Sequence, residues 1–87
     1  MPSFVYVLAS DGKGGPRTYV GWTLDVEKRL AAHNAGRGAR STKGRHWQIV
    51  HVEKFRTRNL AMRREWHLKR DRKLRKALLA GFVQRRL

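Results

Sequence analysis

Short apolar runs separated by glycine-rich polar segments dominate the first part of the chain, a pattern typical of β-strands joined by turns. Residues Phe4–Ala9 form a β-branched and aromatic run that ends at the turn-forming cluster Ser10–Pro16. Residues Arg17–Thr23 resume the same kind of composition directly after that cluster. The sequence therefore predicts a β-hairpin with a loose connecting loop.

A third strand is predicted after a long polar segment. Residues Asn34–Arg45 contain three glycines and no large apolar side chain, which indicates a small, mobile surface loop. Residues Trp47–Phe55 then alternate between apolar and polar positions. The alternation places Trp47, Ile49 and His51 on one face of this strand and Val50 and Val52 on the other.

Caps and apolar spacing predict the first helix. Asp25 can cap a helix that runs from Val26 to about Ala35. Arg29 and His33 lie one turn apart on this helix and flank its apolar stripe, so both side chains are expected to point toward the edge of the sheet.

Two further helices follow the third strand. Thr57 or Asn59 can cap the second helix, which continues through Leu68, and Asp71 can cap the third. Gly81 is expected to end the third helix before a short tail of residues 82–87. The predicted core positions are Leu60, Ala61 and Leu68 on the second helix, with Glu65 at the margin, and Leu74, Ala77 and Leu78 on the third.

The element order β-β-α-β-α-α predicts the fold class. It indicates an α+β fold in which a small, mainly antiparallel sheet of three strands is flanked by about three helices. At 87 residues the chain suits one domain, spanning residues 1–87, with a single core to bury.

The net charge of the chain indicates which class of partner this domain binds. The chain carries 21 Lys and Arg against 6 Asp and Glu, a formal net charge of +15. Such an excess makes the compact state repel itself unless a polyanion neutralises it, and nucleic acid is the obvious polyanion. The absence of cysteine excludes disulfides, thiolate metal sites and a cysteine nucleophile.

Hydropathy excludes an integral membrane protein. No apolar stretch approaches the roughly 20 residues of a membrane span, and the N-terminal run lacks a basic segment before it. We therefore expect a cytoplasmic protein with no secretion signal and no membrane contact.

Candidate chemistry begins with a tyrosine in each predicted hairpin strand, in Val5-Tyr6-Val7 and in Tyr19-Val20-Gly21. Arg29 follows ten residues after Tyr19, His33 one turn later, and Glu65 lies on the second predicted helix. This set, in this order over nearly the whole chain, resembles the GIY-YIG nuclease superfamily. The basic segment from His33 to Arg45 is similar to the small stand-alone bacterial members and to the catalytic subunits of structure-selective endonucleases.

The resemblance implies a GIY-YIG type of fold and hydrolysis of DNA phosphodiester bonds, in DNA repair or processing. It assigns Glu65 to one Mg²⁺ or Mn²⁺ ion, Arg29 to the scissile phosphate, and Tyr6 or Tyr19 together with His33 to proton transfer. These residue types suit the chemistry, because Mg²⁺ accepts one carboxylate together with waters and phosphate oxygens, and because arginine is a permanent bidentate cation. Which tyrosine acts as the base stays open.

The other basic residues are candidates for contact with a nucleic-acid backbone. Between Lys54 and Lys76, eleven Lys and Arg face only two acidic residues, so the second and third helices carry a dense positive surface. Gly21 lacks a Cβ and would let a substrate or the neighbouring strand approach closely. The predicted nucleic-acid-binding residues are Gly21, Arg37, Arg40, Lys43, Arg45, Arg63, Arg64, Lys69 and Arg70.

Partners and alternatives complete the prediction. Branched or nicked DNA is favoured over RNA, and we expect a monomer or weak homodimer that relies on DNA shape or a protein partner for selectivity. Many members of the superfamily carry an asparagine about three turns beyond the glutamate, where this chain has Ala77. The main alternative is therefore a DNA- or RNA-binding module without turnover, and a third is a basic accessory protein bound to ribosomal RNA.

Met62 and Trp66 are the apolar residues of the second helix that its predicted core stripe leaves out. We expect them to pack under the third helix. A docked partner or a stacked base are the alternatives.

Overall fold

The computed structural model describes residues 1–87 and shows a sheet that helices cover on both faces. The strands β1 (Ser3–Ser10), β2 (Arg17–Thr23) and β3 (Gln48–Phe55) pair antiparallel in the order β2-β1-β3. The helices are α1 (Val26–Asn34), α2 (Arg58–Arg70) and α3 (Arg72–Arg85), and a 3₁₀ turn covers Arg40–Thr42. The predicted α+β fold and its element order are confirmed.

The central strand β1 builds two cores with its alternating side chains. Val5 and Val7 are fully buried on one face, where residues of α2 and α3 pack against them. Tyr6 and Leu8 are buried on the other face, where Trp47 and apolar residues of α1 cover them. Because both faces are covered, β1 is apolar at almost every position rather than at every second one.

Side-chain caps begin each α-helix. The cap oxygens accept hydrogen bonds from backbone N–H groups three residues on, at 3.0–3.2 Å. The capping residues are Asp25, Thr57 and Asp71. Asp25 and Asp71 were the predicted caps, and Thr57 rather than Asn59 caps α2.

The strand β3 begins one residue later than predicted, at Gln48. The reason is the Asn34 side chain, whose Oδ1 accepts from the backbone N–H of Trp47 at 2.6 Å and whose Nδ2 donates to the carbonyl of Trp47 at 3.1 Å. Both backbone groups of Trp47 are therefore already paired with the end of α1.

The faces of β3 were predicted only in part. Ile49 and Val50 lie on the expected opposite faces, toward Tyr6 and toward α2 respectively. The pairing with β1 then shifts register, and from this point His51 lies on the α2 face and Val52 on the α1 face, opposite to the prediction. One extra residue in a strand inverts the alternation, which a strict period of two does not anticipate.

The helices α2 and α3 bury narrower stripes than predicted. Ala61 and Leu68 are fully buried as expected, but Leu60 is 41% exposed because it lies about 100° around the helix from that stripe. Ala77 is exposed for the same reason, since Leu74 and Leu78 define the buried side of α3. Met62 and Trp66 are also exposed, so the prediction that they pack under α3 is wrong.

The end of α3 differs from the prediction as well. The helix continues through Gly81 to Arg85, and α2 extends to Arg70. Gly81 has no positive φ, and the next residue, Phe82, is buried. Burial of this phenyl ring favours continuation of the helix over a glycine cap. None of the helices combines the length and the hydropathy that a membrane span requires.

The segment predicted as a mobile loop is held at several points. Thr42 is buried, and the indole Nε1 of Trp47 donates to its carbonyl at 2.9 Å. The Arg45 guanidinium donates to the Ser10 hydroxyl and to the carbonyls of Lys13 and Gly15. The segment is therefore tied to Trp47, which precedes β3, and to the β1–β2 turn.

Gly81→Ala should stabilise the protein by about 0.5–1 kcal/mol, because the residue lies inside a helix and an added Cβ would meet only ordinary contacts. Gly36→Ala, at φ +78°, should destabilise it by about 1–2 kcal/mol. Urea unfolding of both variants measures this contrast. A loss of stability in Gly81→Ala would show that α3 ends at Gly81.

Candidate active site

Three aromatic side chains meet on the α1 face of the sheet. Tyr6 of β1 pairs with Gly21 of β2, and Tyr19 of β2 pairs with Leu8 of β1. Because residues that pair across two strands, and residues two apart along one strand, share a face of the sheet, both tyrosines point to this face. The Tyr6 and Tyr19 ring centroids are 6.4 Å apart. The His33 ring of α1 lies 5.9 Å from Tyr6 and 4.8 Å from Tyr19. His33 is fully buried in this cluster, rather than at the edge of the sheet as predicted.

A chain of buried hydrogen bonds runs through His33. The Tyr6 hydroxyl lies 2.9 Å from Nε2 of His33, and Nδ1 of His33 lies 2.9 Å from the Thr42 hydroxyl. The Thr42 hydroxyl in turn donates to the carbonyl of Ala39 at 2.8 Å.

This network assigns the tautomer of His33. Thr42 has one hydroxyl proton, which it donates to Ala39, so its oxygen accepts from Nδ1–H of His33. Nε2 then carries the lone pair and accepts from the Tyr6 hydroxyl. The tyrosine proton therefore faces a neutral imidazole that can receive it.

Arg29 and Glu65 act electrostatically on the same phenols. Burial raises the pKa of Tyr6 to about 12, with Arg29 opposing this rise and Tyr19 and Glu65 adding to it. Burial also raises the pKa of Tyr19, which Arg29 again lowers and Glu65 raises. The pKa of His33 is lowered, first by burial and then by the positive charge of Arg29. Tyr6, Tyr19 and His33, three of the five residues predicted to be catalytic, thus form one cluster, and the other two, Arg29 and Glu65, shift the pKa of its phenols.

Glu65 has the features of a carboxylate that is available to a cation. Its side chain is 21% exposed, and its nearest charged partner is Lys69, whose Nζ lies 3.7 Å from Oε2. Glu53, by contrast, is fully engaged by Arg64 and His51. No group of three or more His, Asp or Glu residues gathers around a common point, so a metal here would take one carboxylate and complete its shell with water and phosphate oxygens.

A cavity of about 610 Å³ is lined by residues from the end of β2 and from α1. Its lining includes Trp22, Lys28 and Arg29, and Arg29 is the one catalytic candidate in it. Arg29 therefore both acts on the tyrosines and lines this cavity.

Most of the chain is similar to proteins of one family. The family model that describes the GIY-YIG catalytic domain matches residues 2–77. The chain belongs to the GIY-YIG family. A UPF0213 protein of Haloquadratum walsbyi is 41% identical over 78 residues, which cover 88% of this chain and 84% of the relative. A UPF0213 protein of Halobacterium salinarum is 46% identical over 67 residues, which cover 75% and 82%.

The fold is similar to that of a solved UPF0213 structure. The solution NMR structure of a UPF0213 protein from Bacillus halodurans matches 92% of this chain and 84% of its own, with a TM-score of 0.50 and 34% identity. The resemblance to small stand-alone GIY-YIG proteins is confirmed. The role of each site residue stays a prediction.

Two glycines make room for the GIY-YIG cluster. A Cβ on Gly21 would lie 2.5 Å from the Tyr6 hydroxyl oxygen, so this glycine accommodates the phenol. Gly21 is itself buried, and its contact with nucleic acid stays a prediction. A Cβ on Gly38 would lie 2.7 Å from Cγ of His33 and closer still to Nδ1. Gly38 thus allows the segment after α1 to close over the imidazole.

Sequence reasoning missed Gly38, Thr42 and Asn34 as residues that shape this GIY-YIG site. Thr42 meets His33 across nine residues and a turn, a separation that follows no helix or strand period. Asn34 acts through its amide on the backbone of Trp47, a contact that any surface asparagine could make. Only the two glycines of Gly36-Arg37-Gly38 signalled a constraint on the backbone.

The predicted nucleic-acid-binding cations divide into two groups. Arg45 is occupied by Ser10 and the turn carbonyls, and Arg64 forms a two-point ion pair with Glu53 at 2.8 and 3.0 Å. Both side chains therefore have structural partners, and their contact with phosphate stays a prediction. The exposed cations are Arg37, Arg40, Lys43, Arg63, Lys69 and Arg70.

Gly38→Ala should destabilise the protein by about 1–3 kcal/mol, because the new methyl group would overlap the buried His33 ring. Gly12→Ala is the matched control, since its Cβ would meet Arg45 at an ordinary 3.9 Å. Urea unfolding of both variants provides the measurement. Equal stabilities would contradict the close packing of Gly38 on His33.

Proposed function

We propose that this GIY-YIG protein is a metal-dependent endonuclease that hydrolyses DNA phosphodiester bonds. The observation that carries the proposal is the buried hydrogen bond from Tyr6 to a neutral His33, in a cluster on which both Arg29 and Glu65 act. A base, a phosphate-binding cation and a metal-binding carboxylate are the groups that this hydrolysis needs. A role in DNA repair and a cytoplasmic location stay predictions.

Tyr6 is the better candidate for the general base, since it and not Tyr19 is hydrogen-bonded to His33. In the proposed step a water oxygen attacks phosphorus, and the water proton passes to the Tyr6 oxygen as the Tyr6 proton passes to Nε2 of His33. The bond from phosphorus to the leaving oxygen breaks, and that oxygen takes a proton from solvent. With a pKa of about 12, Tyr6 keeps its proton until substrate is bound.

Arg29 would hold the scissile phosphate and offset the charge that grows in the transition state. Its effect on the Tyr6 phenol and its position in the lining of the cavity support this role. Glu65 would hold one Mg²⁺ or Mn²⁺ ion, which supplies positive charge next to the phosphate and makes the leaving oxygen less basic.

Glu65→Gln should abolish Mg²⁺-dependent cleavage of nicked, flapped or branched DNA, because an amide is a weak ligand for a hard cation. Arg29→Lys should lower kcat by about 100- to 1000-fold. Glu27→Gln, which changes an exposed carboxylate of α1, is the control and should keep full activity.

The measurement is gel analysis of labelled DNA incubated with Mg²⁺, Mn²⁺ or EDTA. Cleavage that persists in Glu65→Gln at the parent rate would refute the metal site. Salt-sensitive binding with no cleavage on any DNA would instead support a binding module without turnover, and a preference for structured RNA would support the ribosomal alternative.

The pH dependence should follow His33. Because its pKa lies below the ordinary value of 6.5, the imidazole is neutral above that pH and able to accept a proton. We expect kcat/KM to be level above about pH 6.5 and to fall up to tenfold per pH unit below the pKa of His33.

Stability should change in the same direction. The unfolded chain binds a proton at His33 more readily than the native state, so the free energy of unfolding falls as the pH drops below 6.5. NMR titration of the His33 ring protons gives its pKa independently. Activity that rises on acidification through that pKa would contradict the role of neutral His33.

A further inference from the structure

The outer face of α2 carries an exposed aromatic surface next to Glu65. Trp66 is 54% exposed and Met62, one turn earlier, is 45% exposed. Neither belongs to either core cluster. Trp66 directly follows Glu65 along the helix, and Lys69, one turn further on, lies 3.7 Å from the Glu65 carboxylate. We call Met62, Trp66 and Arg70 the platform.

Arg70 holds the Trp66 ring in place. Its guanidinium carbon lies 3.7 Å from the centroid of the indole, and its NH1 donates to the carbonyl of Trp66 at 2.9 Å. The His67 ring meets the indole edge-on at 5.0 Å. A cation stacked on an indole is attracted to it, so the ring is ordered before any ligand arrives. An ordered ring loses less entropy on binding than a free one.

The size of the platform argues against a protein partner. A stable protein interface buries about 800 Å² on each side, whereas one indole and one methionine offer room for a single flat group. A second copy of this chain is disfavoured further, because each copy carries a net charge of +15 and the platform is itself cationic.

The charges around the platform favour a nucleotide. Arg63, Lys69 and Arg70 are exposed on the same helix as Trp66. Arg70 stacks on the indole, and of the three only Lys69 has a carboxylate within ion-pair distance, Glu65 at 3.7 Å. A flat apolar ring between cations complements a nucleobase between phosphates.

We propose that the platform binds one unpaired base of a DNA strand, with the flanking phosphates on Arg63 and Lys69. The proposal rests on the proposed function and deepens it. A base inside a duplex is already stacked on its neighbours and has no free face, so the platform favours DNA that carries an unpaired nucleotide near the cleavage site. Trp66 is therefore a specificity-determining residue rather than a catalytic one.

The experiment compares the binding of two DNAs in EDTA at fixed salt, by fluorescence anisotropy. One is a plain duplex, and the other is the same duplex with a single-stranded arm. Trp66→Ala should weaken binding of the armed DNA by about 5- to 100-fold and change binding of the duplex by less than about twofold. Trp66→Phe should restore most of the preference, because phenylalanine still stacks.

Leu60→Ala is the matched control, since it removes another exposed apolar side chain from the same helix. It should leave the preference unchanged. An equal loss on both DNAs in Trp66→Ala would overturn the proposal. A fall in the sedimentation mass of the protein in that variant would also overturn it, by showing that the surface joins copies of the chain. The readout is binding alone, so a protein that fails to cut DNA still tests the platform.

Discussion

The buried hydrogen bond between the Tyr6 phenol and the His33 imidazole is the interaction on which the rest of the site depends. It joins the central strand to α1, and it gives each of two buried polar groups the partner that it needs away from water. Thr42 satisfies the second nitrogen of His33, so the whole chain of donors and acceptors is complete. A buried network in which every donor and acceptor is paired has one arrangement of hydrogen bonds, which fixes the positions of the protons as well as those of the heavier atoms.

Close packing keeps this network in place from both sides. Gly21 leaves space for the phenol on β2, and Gly38 leaves space for the imidazole where the segment after α1 closes over it. The segment is closed by Asn34, which binds the backbone of Trp47, and by Arg45, which binds the β1–β2 turn. Fold and site therefore share the same contacts, and a small domain with little core has no separate scaffold for its chemistry.

The large positive charge serves two purposes. Arg45 donates hydrogen bonds to turn carbonyls, and Arg64 donates to Glu53, so both stabilise the molecule itself. The exposed cations have almost no acidic partners, and their mutual repulsion is relieved most readily by a polyanion. Trp66 is an exposed aromatic ring among these cations. A ring of this kind can give one part of the positively charged surface a preference among ligands, which charge alone does not.

The sequence by itself determined the element order and the caps at Asp25 and Asp71, because alternation and capping are local properties. The five candidate site residues came from the resemblance of the sequence to the GIY-YIG superfamily. Tertiary structure decided what depends on neighbours distant in the chain. The register shift reversed the predicted face of His51, and burial of Phe82 carried α3 past Gly81. Tertiary structure also paired Arg64, a predicted phosphate contact, with Glu53. No local sequence pattern encodes such contacts, because each depends on which distant residues the folded chain brings together.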